Sequence, residues 1–150
     1  MKKTMSEVQI SVIEGEPTAV MRDIRKRVFI DEQKVAPELE WDEHDANATH
    51  FLLSIDDSAV GTGRLLPSGR IGRIALLPAA RGKGLGRQLM CAIMQHAQQV
   101  GMAQLELSAQ THALGFYAQL GFVTCSDVYL DAGIAHQTMR FSQPASNPVH

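Results

Sequence analysis

Val8, Ile10 and Val12 alternate with polar neighbours, the two-residue period of a half-buried strand. Pro17-Thr18 then introduces a helix in which Val20, Ile24 and Val28 recur every four residues, with Arg22, Arg25 and Lys26 on other faces and Phe29-Ile30 extending the apolar content. Such a helix covers one side of a sheet. Two strands are expected at 50–55 and 59–66 around the turn Asp56-Asp57-Ser58, and a third at 71–77, entered through Pro67-Ser68-Gly69 and ended by Pro78. Leu85, Leu89, Ile93 and Ala97 make a stripe at helical spacing, widened by Met90 and Met94 and stopped by Gly101. These methionines read as core filling. Leu105, Leu107 and Ala109 alternate as another strand. A shorter helix from Thr111 or His112 carries Ala113, Phe116, Tyr117 and Leu120 as far as Gly121. Val123, Cys125 and Val128-Tyr129 supply a further strand, and 135–141 the last.

Strands interleaved with a few helices predict a mixed α/β sheet in a single unit. Between Asp31 and Asn47 the chain turns acidic and irregular, with five carboxylates from Glu38 to Asp45 and a Pro37 unsuited to a helix interior. This stretch reads as a lid or pocket wall. The segment from Pro144 to His150 has little to bury and is expected to be a mobile tail, so that 1–142 forms the domain and 143–150 the tail.

With 150 residues and a formal charge of −2, the chain has room for one substantial core and lacks a large basic footprint for nucleic acid. Lys2 and Lys3 precede no long apolar run, which argues against a signal peptide and a membrane span and makes the cytoplasm the expected location. Cys91 and Cys125 show no metal-type spacing and read as buried thiols.

Arg81-Gly82-Lys83-Gly84-Leu85-Gly86 is the segment richest in chemistry, because its alternating glycines lie between a strand and the regular amphipathic helix. Glycines let a polyanion approach the backbone, and the first helical N–H groups have no intrahelical acceptor. Arg81, Lys83 and Arg87 add positive charge. A P-loop is excluded, since Gly86 is followed by Arg87-Gln88 instead of Lys and a hydroxyl residue. A dinucleotide fingerprint fits poorly, because Glu106 lies inside the next strand and not at its end. A plain tight turn is the remaining alternative.

The run from Ile71 through Pro78 to Arg87, followed by Phe116-Tyr117-Ala118-Gln119-Leu120-Gly121-Phe122, closely resembles the Gcn5-related N-acetyltransferase (GNAT) family. The first block matches the family's strand, proline and Arg-x-x-Gly-x-Gly loop, and the second its Tyr-x-x-Leu-Gly-Phe segment. An earlier block, Val28-Phe-Ile-Asp-Glu-Gln33 through Trp41 to His50, is similar to a small bacterial subgroup of these acetyltransferases. The resemblance implies a mostly antiparallel central sheet with flanking helices and a splay between its two central strands. It also implies acetyl-CoA as co-substrate, with no metal required. Its pyrophosphate would meet Arg81, Gly82, Lys83, Gly84, Leu85, Gly86 and Arg87, and its pantetheine arm would run beside Ile74, Ala75 and Leu76. Gln110 stands where many relatives carry Asn and would touch the donor.

Acetyl transfer needs a neutral amine, stabilisation of the developing oxyanion and a proton for the departing thiolate. Tyr117 has a phenol for the last task and occupies the family's tyrosine position. The resemblance implies that the Ala75 or Leu76 N–H polarises the thioester. For the base, Glu32 and His112 lead a field that includes Glu40, Asp42, His44 and His50, and Gln33 reads as a substrate-orienting amide or as a helix-end residue. The acidic stretch reads as a wall for a cationic amine, a metal site or solvated surface, and Trp41 as acceptor platform or packing. A small-molecule amine is the expected acceptor. A protein or peptide acceptor, or acyl-CoA binding without turnover, are the alternatives, and a homodimer is compatible with the family.

Overall fold

In the computed structural model, which describes residues 7–143, strands β1 (Val8–Glu14), β2 (Thr49–Ile55), β3 (Ser58–Leu65), β4 (Arg70–Leu76), β5 (Gln104–Gln110), β6 (Val123–Thr124), β7 (Tyr129–Asp131) and β8 (Ile134–Ser142) share one sheet. Their order is β1-β2-β3-β4-β5-β8-β6, with β7 also on β8. Every pairing is antiparallel except that of β4 with β5. The tail expected from Pro144 onward lies outside the described residues.

The β2–β3 hairpin turns where the sequence places it, with Asp56 and Asp57 at φ 48° and 68°. Two consecutive left-handed residues match the strand twist, and short polar side chains tolerate that conformation. In β3–β4 the register slips: Arg64 faces Gly72 but Thr62 faces Ala75, so β4 carries one extra residue. Arg73 takes the strain of this bulge at φ 53°. A side chain on Gly63 would come within 2.8 Å of Ile74 Cδ1 and 2.9 Å of Ile93 Cδ1, so glycine there lets β4 side chains lie flat over β3.

Helix α1 (Ala19–Arg25) starts at Thr18, whose Oγ1 accepts the Met21 N–H at 3.3 Å. Its buried stripe is Met21, Ile24 and Val28, while Val20, expected in that stripe, is exposed. Arg25, expected on a polar face, is also buried. From Lys26 to Glu32 the helix widens into a π turn, closed by the Gln33 N–H on Val28 O at 3.1 Å. Helix α2 (Pro37–Glu40) tolerates Pro37 because it sits in the first turn. Helix α3 (Leu85–Gln99) buries the expected Leu85, Leu89, Ile93, Ala97 and Met90 against Phe51, Leu53, Leu105, Leu107 and Met139. Helix α4 (Leu114–Gln119) closes that face with Tyr117 and Leu114 packed on the same cluster. Helix α1 covers the opposite face, where Ile24 and Val28 meet Ala75 and Leu52. Both cysteines are exposed, contrary to expectation: Cys91 lies on the outer side of α3 and Cys125 just past the short edge strand β6.

A buried ionic cluster attaches the acidic segment to the sheet. Arg25 donates from Nε to Glu40 Oε2 at 2.7 Å and from Nη1 to Asp45 Oδ1 at 2.8 Å, with its guanidinium 5.0 Å from the Trp41 ring centre. Arg64 Nη1 reaches Asp42 Oδ1 at 2.7 Å and Asp45 Oδ1 at 3.0 Å. Arg73 adds Asp42 Oδ2 and the Glu40 carbonyl, both at 3.0 Å. Three arginines thus neutralise three carboxylates, and the Arg64 Nε–H is left buried without an acceptor. Burial opposes the ionisation of Asp45, but hydrogen bonds and charge from Arg25 and Arg64 outweigh it and hold the carboxyl below its usual range. A depressed carboxylate stabilises the fold above its unfolded pKa, and that contribution is lost as pH falls through the folded value.

Asp45→Asn is therefore expected to remove about 3–5 kcal/mol of unfolding free energy at neutral pH, the usual effect of stripping one partner from a buried pair. Urea denaturation checks this, and the deficit should shrink as acid protonates Asp45 in the unmodified protein.

Candidate active site

β4 and β5 are paired only at Arg70 with Glu106 and Ile71 with Leu107. Beyond Ile71 they diverge, and a cleft of about 730 Å³ opens along the exposed edge of β4. Direction along this edge follows from one hydrogen bond: the Leu77 N–H reaches Val60 O at 2.8 Å, toward β3. Strand alternation turns the polar groups of Leu76 the other way, into the gap. There the Leu76 carbonyl accepts Arg81 Nε at 3.0 Å. Ala75, by the same alternation, directs its backbone toward β3 and buries its side chain against Ile24 and Val28. The open-edge N–H expected from Ala75 or Leu76 therefore belongs to Leu76.

The glycine segment sits at one end of this edge. Gly82 and Gly84 both have φ 75°, a conformation that L side chains rarely adopt, and Gly84 is the residue from which α3 starts. The first turn of α3 therefore borders the cleft, which places the positive end of the helix dipole beside it. Gly82, Gly84, Leu85, Gly86 and Arg87 line the cleft, as do Ile74, Leu76 and Tyr117, whereas Lys83 does not.

Tyr117 reaches the cleft from α4. Its ring packs edge-on against Phe116 and Phe122, with centroids 5.0 and 6.2 Å away. Burial pushes its pKa up to about 12, so the phenol keeps its proton through the neutral range.

The remaining candidates separate. Glu32 makes a two-pronged pair with Arg81, Oε2 to Nη1 and Oε1 to Nη2, each at 2.7 Å. Hydrogen bonding to Arg81 lowers the Glu32 pKa, which makes this carboxylate a poor proton acceptor. It works as a clamp between the π turn and the glycine segment. His112 is exposed, and its Nε2 lies 2.8 Å from Gln110 Oε1, an atom that only accepts, so that nitrogen carries a hydrogen and the ring is tied to Gln110. Gln110 in turn donates to Gln33 Oε1 at 3.1 Å. Glu40 and Asp42 belong to the ionic cluster, His50 Nε2 points to Asp45 O at 3.0 Å with its pKa lowered by burial, and His44 is exposed. Three of the five carboxylates of the acidic segment, Glu40, Asp42 and Asp45, are thus paired with arginines of α1, β3 and β4, while Glu38 and Glu43 are exposed. Trp41 stacks under Arg25 and serves packing.

Arg64, Arg73, Ser108 and His136 also line the cleft, without a local signal in the sequence. Ser108 and His136 carry a signal only once the β5–β8 pairing is known, because they face one another's neighbours across it. Among the described residues no group of three His, Cys, Asp or Glu side chains is arranged to hold a metal ion, and no helix is long and apolar enough to cross a membrane.

A family model described as acetyltransferase (GNAT) domain matches residues 2–143. An acyl-CoA N-acyltransferase from Pseudomonas aeruginosa superposes with TM-score 0.81 at 32% identity, covering 91% of this chain and 100% of that one. Escherichia coli ElaA gives TM-score 0.81 at 26% identity over the same shares. The uncharacterized N-acetyltransferase YjcF of Bacillus subtilis is 35% identical over 120 residues, 77% of this chain and 86% of the relative.

If Glu32 is a clamp, Glu32→Gln should keep kcat for acyl transfer within about threefold, far from the 10²–10⁴-fold effect of removing a general base. Steady-state kinetics decide, and a loss of about 100-fold or more would restore Glu32 as the base.

Proposed function

The chain belongs to the GNAT acetyltransferase family, whose members use an acyl-CoA, and from that premise we propose that it transfers acetyl from acetyl-CoA to a primary amine of a small molecule. The observation that carries this reading is the unpaired edge of β4 ending at the glycine segment. A polyamide arm needs backbone partners along its length, and a diphosphate at its end needs fixed N–H donors. Both are offered in line, the first by Ile74 and Leu76, the second by the turn through Gly82, Gly84 and Gly86. Arg87 adds charge at the same mouth.

In the proposed reaction the amine nitrogen attacks the thioester carbon, the C–N bond forms and the C–S bond breaks. Leu76 polarises the carbonyl through its N–H on the open edge. Tyr117 gives its proton to the departing sulfur, a role supported by a phenol that stays protonated at neutral pH. Gln110, held between Gln33 and His112, fixes the far wall of the slot.

A panel of small amines and peptides with acetyl-CoA tests the reading, with released CoA and product mass measured together. Acetylated small amines are expected. Product only from peptides would move the acceptor class, and saturable CoA binding without product from any acceptor would make the chain a binding module.

Tyr117→Phe should lower kcat at least about 100-fold while acetyl-CoA affinity stays within about threefold, as expected when only a proton donor is lost. Unchanged turnover with chemistry rate-limiting would remove the general-acid role. For the phosphate end, Gly86→Val is the cleaner substitution, because Gly82 and Gly84 need left-handed φ whereas a Cβ on Gly86 meets Leu76 and Phe116 at an ordinary 3.6 Å. CoA affinity should fall about tenfold or more, on the order of 1.4 kcal/mol, by calorimetry on the folded variant. Unaltered affinity would count against the glycine turn as the diphosphate seat.

A further inference from the structure

His136 is fixed in orientation by a hydrogen bond and by a stacked ring. On β8 it pairs with Gln110 of β5 and with Tyr129 of β7, and Thr138 pairs with Ser108. These five side chains therefore project from one face of the sheet. This polar face is the side of the cleft away from α4 and Tyr117, which pack on the Leu105, Leu107 and Met139 face. His136 is only 8% exposed yet lines the cleft together with Ser108 and Gln110.

Its tautomer is set by the backbone. Nδ1 lies 2.7 Å from Ile134 O, and a carbonyl can only accept, so Nδ1 bears the hydrogen and the lone pair of neutral imidazole is on Nε2. The ring is also clamped: Tyr129 stacks on it at 6.3 Å and 17°, and the Tyr129 hydroxyl is pinned by Ser108 Oγ and, at 3.0 Å, Thr138 Oγ1. Nε2 has no hydrogen-bond partner among the described residues. The other groups able to take a proton are occupied or peripheral. Glu32 is forked by Arg81, Glu40 is ion-paired, and His112 and Asp131 stand exposed at the rim.

We infer that His136 is the general base of acyl transfer, taking a proton from the ammonium form of the acceptor through Nε2. This rests on the acetyltransferase reading above. One ammonium proton passes to His136, the freed nitrogen pair forms the C–N bond, and Tyr117 protonates the sulfur as the C–S bond breaks. The second amine proton returns to the Tyr117 oxygen, and His136 releases its proton to solvent. Each turnover gives one amide, one thiol and one proton.

The test compares His136→Gln with the unmodified protein on an alkylamine taken from the acceptor panel and on its alkoxyamine analogue, which is neutral at about pH 7. With the alkylamine, kcat should fall about 100-fold or more, and with the alkoxyamine less than about threefold, since a nucleophile that arrives neutral needs no deprotonation first. Acetyl-CoA affinity should be unchanged. His136→Asn, whose shorter amide can keep a donor on Ile134 O, should show the same split and serves if the first variant does not fold. Equal losses on both acceptors, or no loss on either, would overturn the assignment while leaving acyl transfer in place. An unmodified protein that acylates no amine would instead remove the reading on which the inference rests.

Discussion

A strand edge inside a sheet cannot remain unpaired at no cost, because each buried N–H or C=O without a partner is destabilising by about 1–3 kcal/mol. This chain keeps such an edge open. The parallel β4–β5 pair closes at two residues and then parts, leaving the cleft side of β4 without a ladder partner. Among the described residues, the Leu76 carbonyl is satisfied internally, through Arg81. That same arginine is forked by Glu32, so the π turn, the open edge and the glycine segment meet at one guanidinium. A donor entering the gap would complete a ladder that the protein leaves unfinished.

The rest of the architecture protects that arrangement. The extra residue in β4 places Arg73 in a strained conformation and brings it into the ionic cluster, where it bonds Asp42 and the carbonyls of Leu39 and Glu40. Arg25 and Arg64 tie the same segment to α1 and β3. Glu40, Asp42 and Asp45 of that segment are thereby held by three arginines, and on the far side of the cleft β5 and β8 present Ser108 and His136, with Tyr129 of β7 stacked on the histidine. Helices on both faces supply the apolar support, α3 and α4 on one side and α1 on the other.

Local pattern made much of this legible. The stripe Leu85, Leu89, Ile93 and Ala97 predicts α3 and its buried face, and Asp56-Asp57 predicts the hairpin turn through its left-handed geometry. Arg81 to Gly86 marks the turn into α3, where Gly82 and Gly84 take positive φ, because glycine spacing is a local property. What failed depends on pairing between distant segments. Arg25 reads as surface from its charge, and only the arrival of Glu40 and Asp45 makes its burial tolerable. Glu32 reads as a candidate base until Arg81, 49 residues away, is seen to engage it. His136 has no signal at all before β5, β7 and β8 are laid side by side, and the thiols of Cys91 and Cys125 are exposed because Cys91 lies off the Leu85-Leu89-Ile93 stripe of α3 and Cys125 follows a short, exposed edge strand.

The claim on which everything else rests is that the donor completes the open edge of β4. Amide hydrogen exchange with and without acetyl-CoA addresses it residue by residue. The account predicts new protection at Leu76 and Ile74 and through Gly82 to Gly86, with β1 and β2 unaffected. Protection absent from β4, or confined to another face of the sheet, would contradict it.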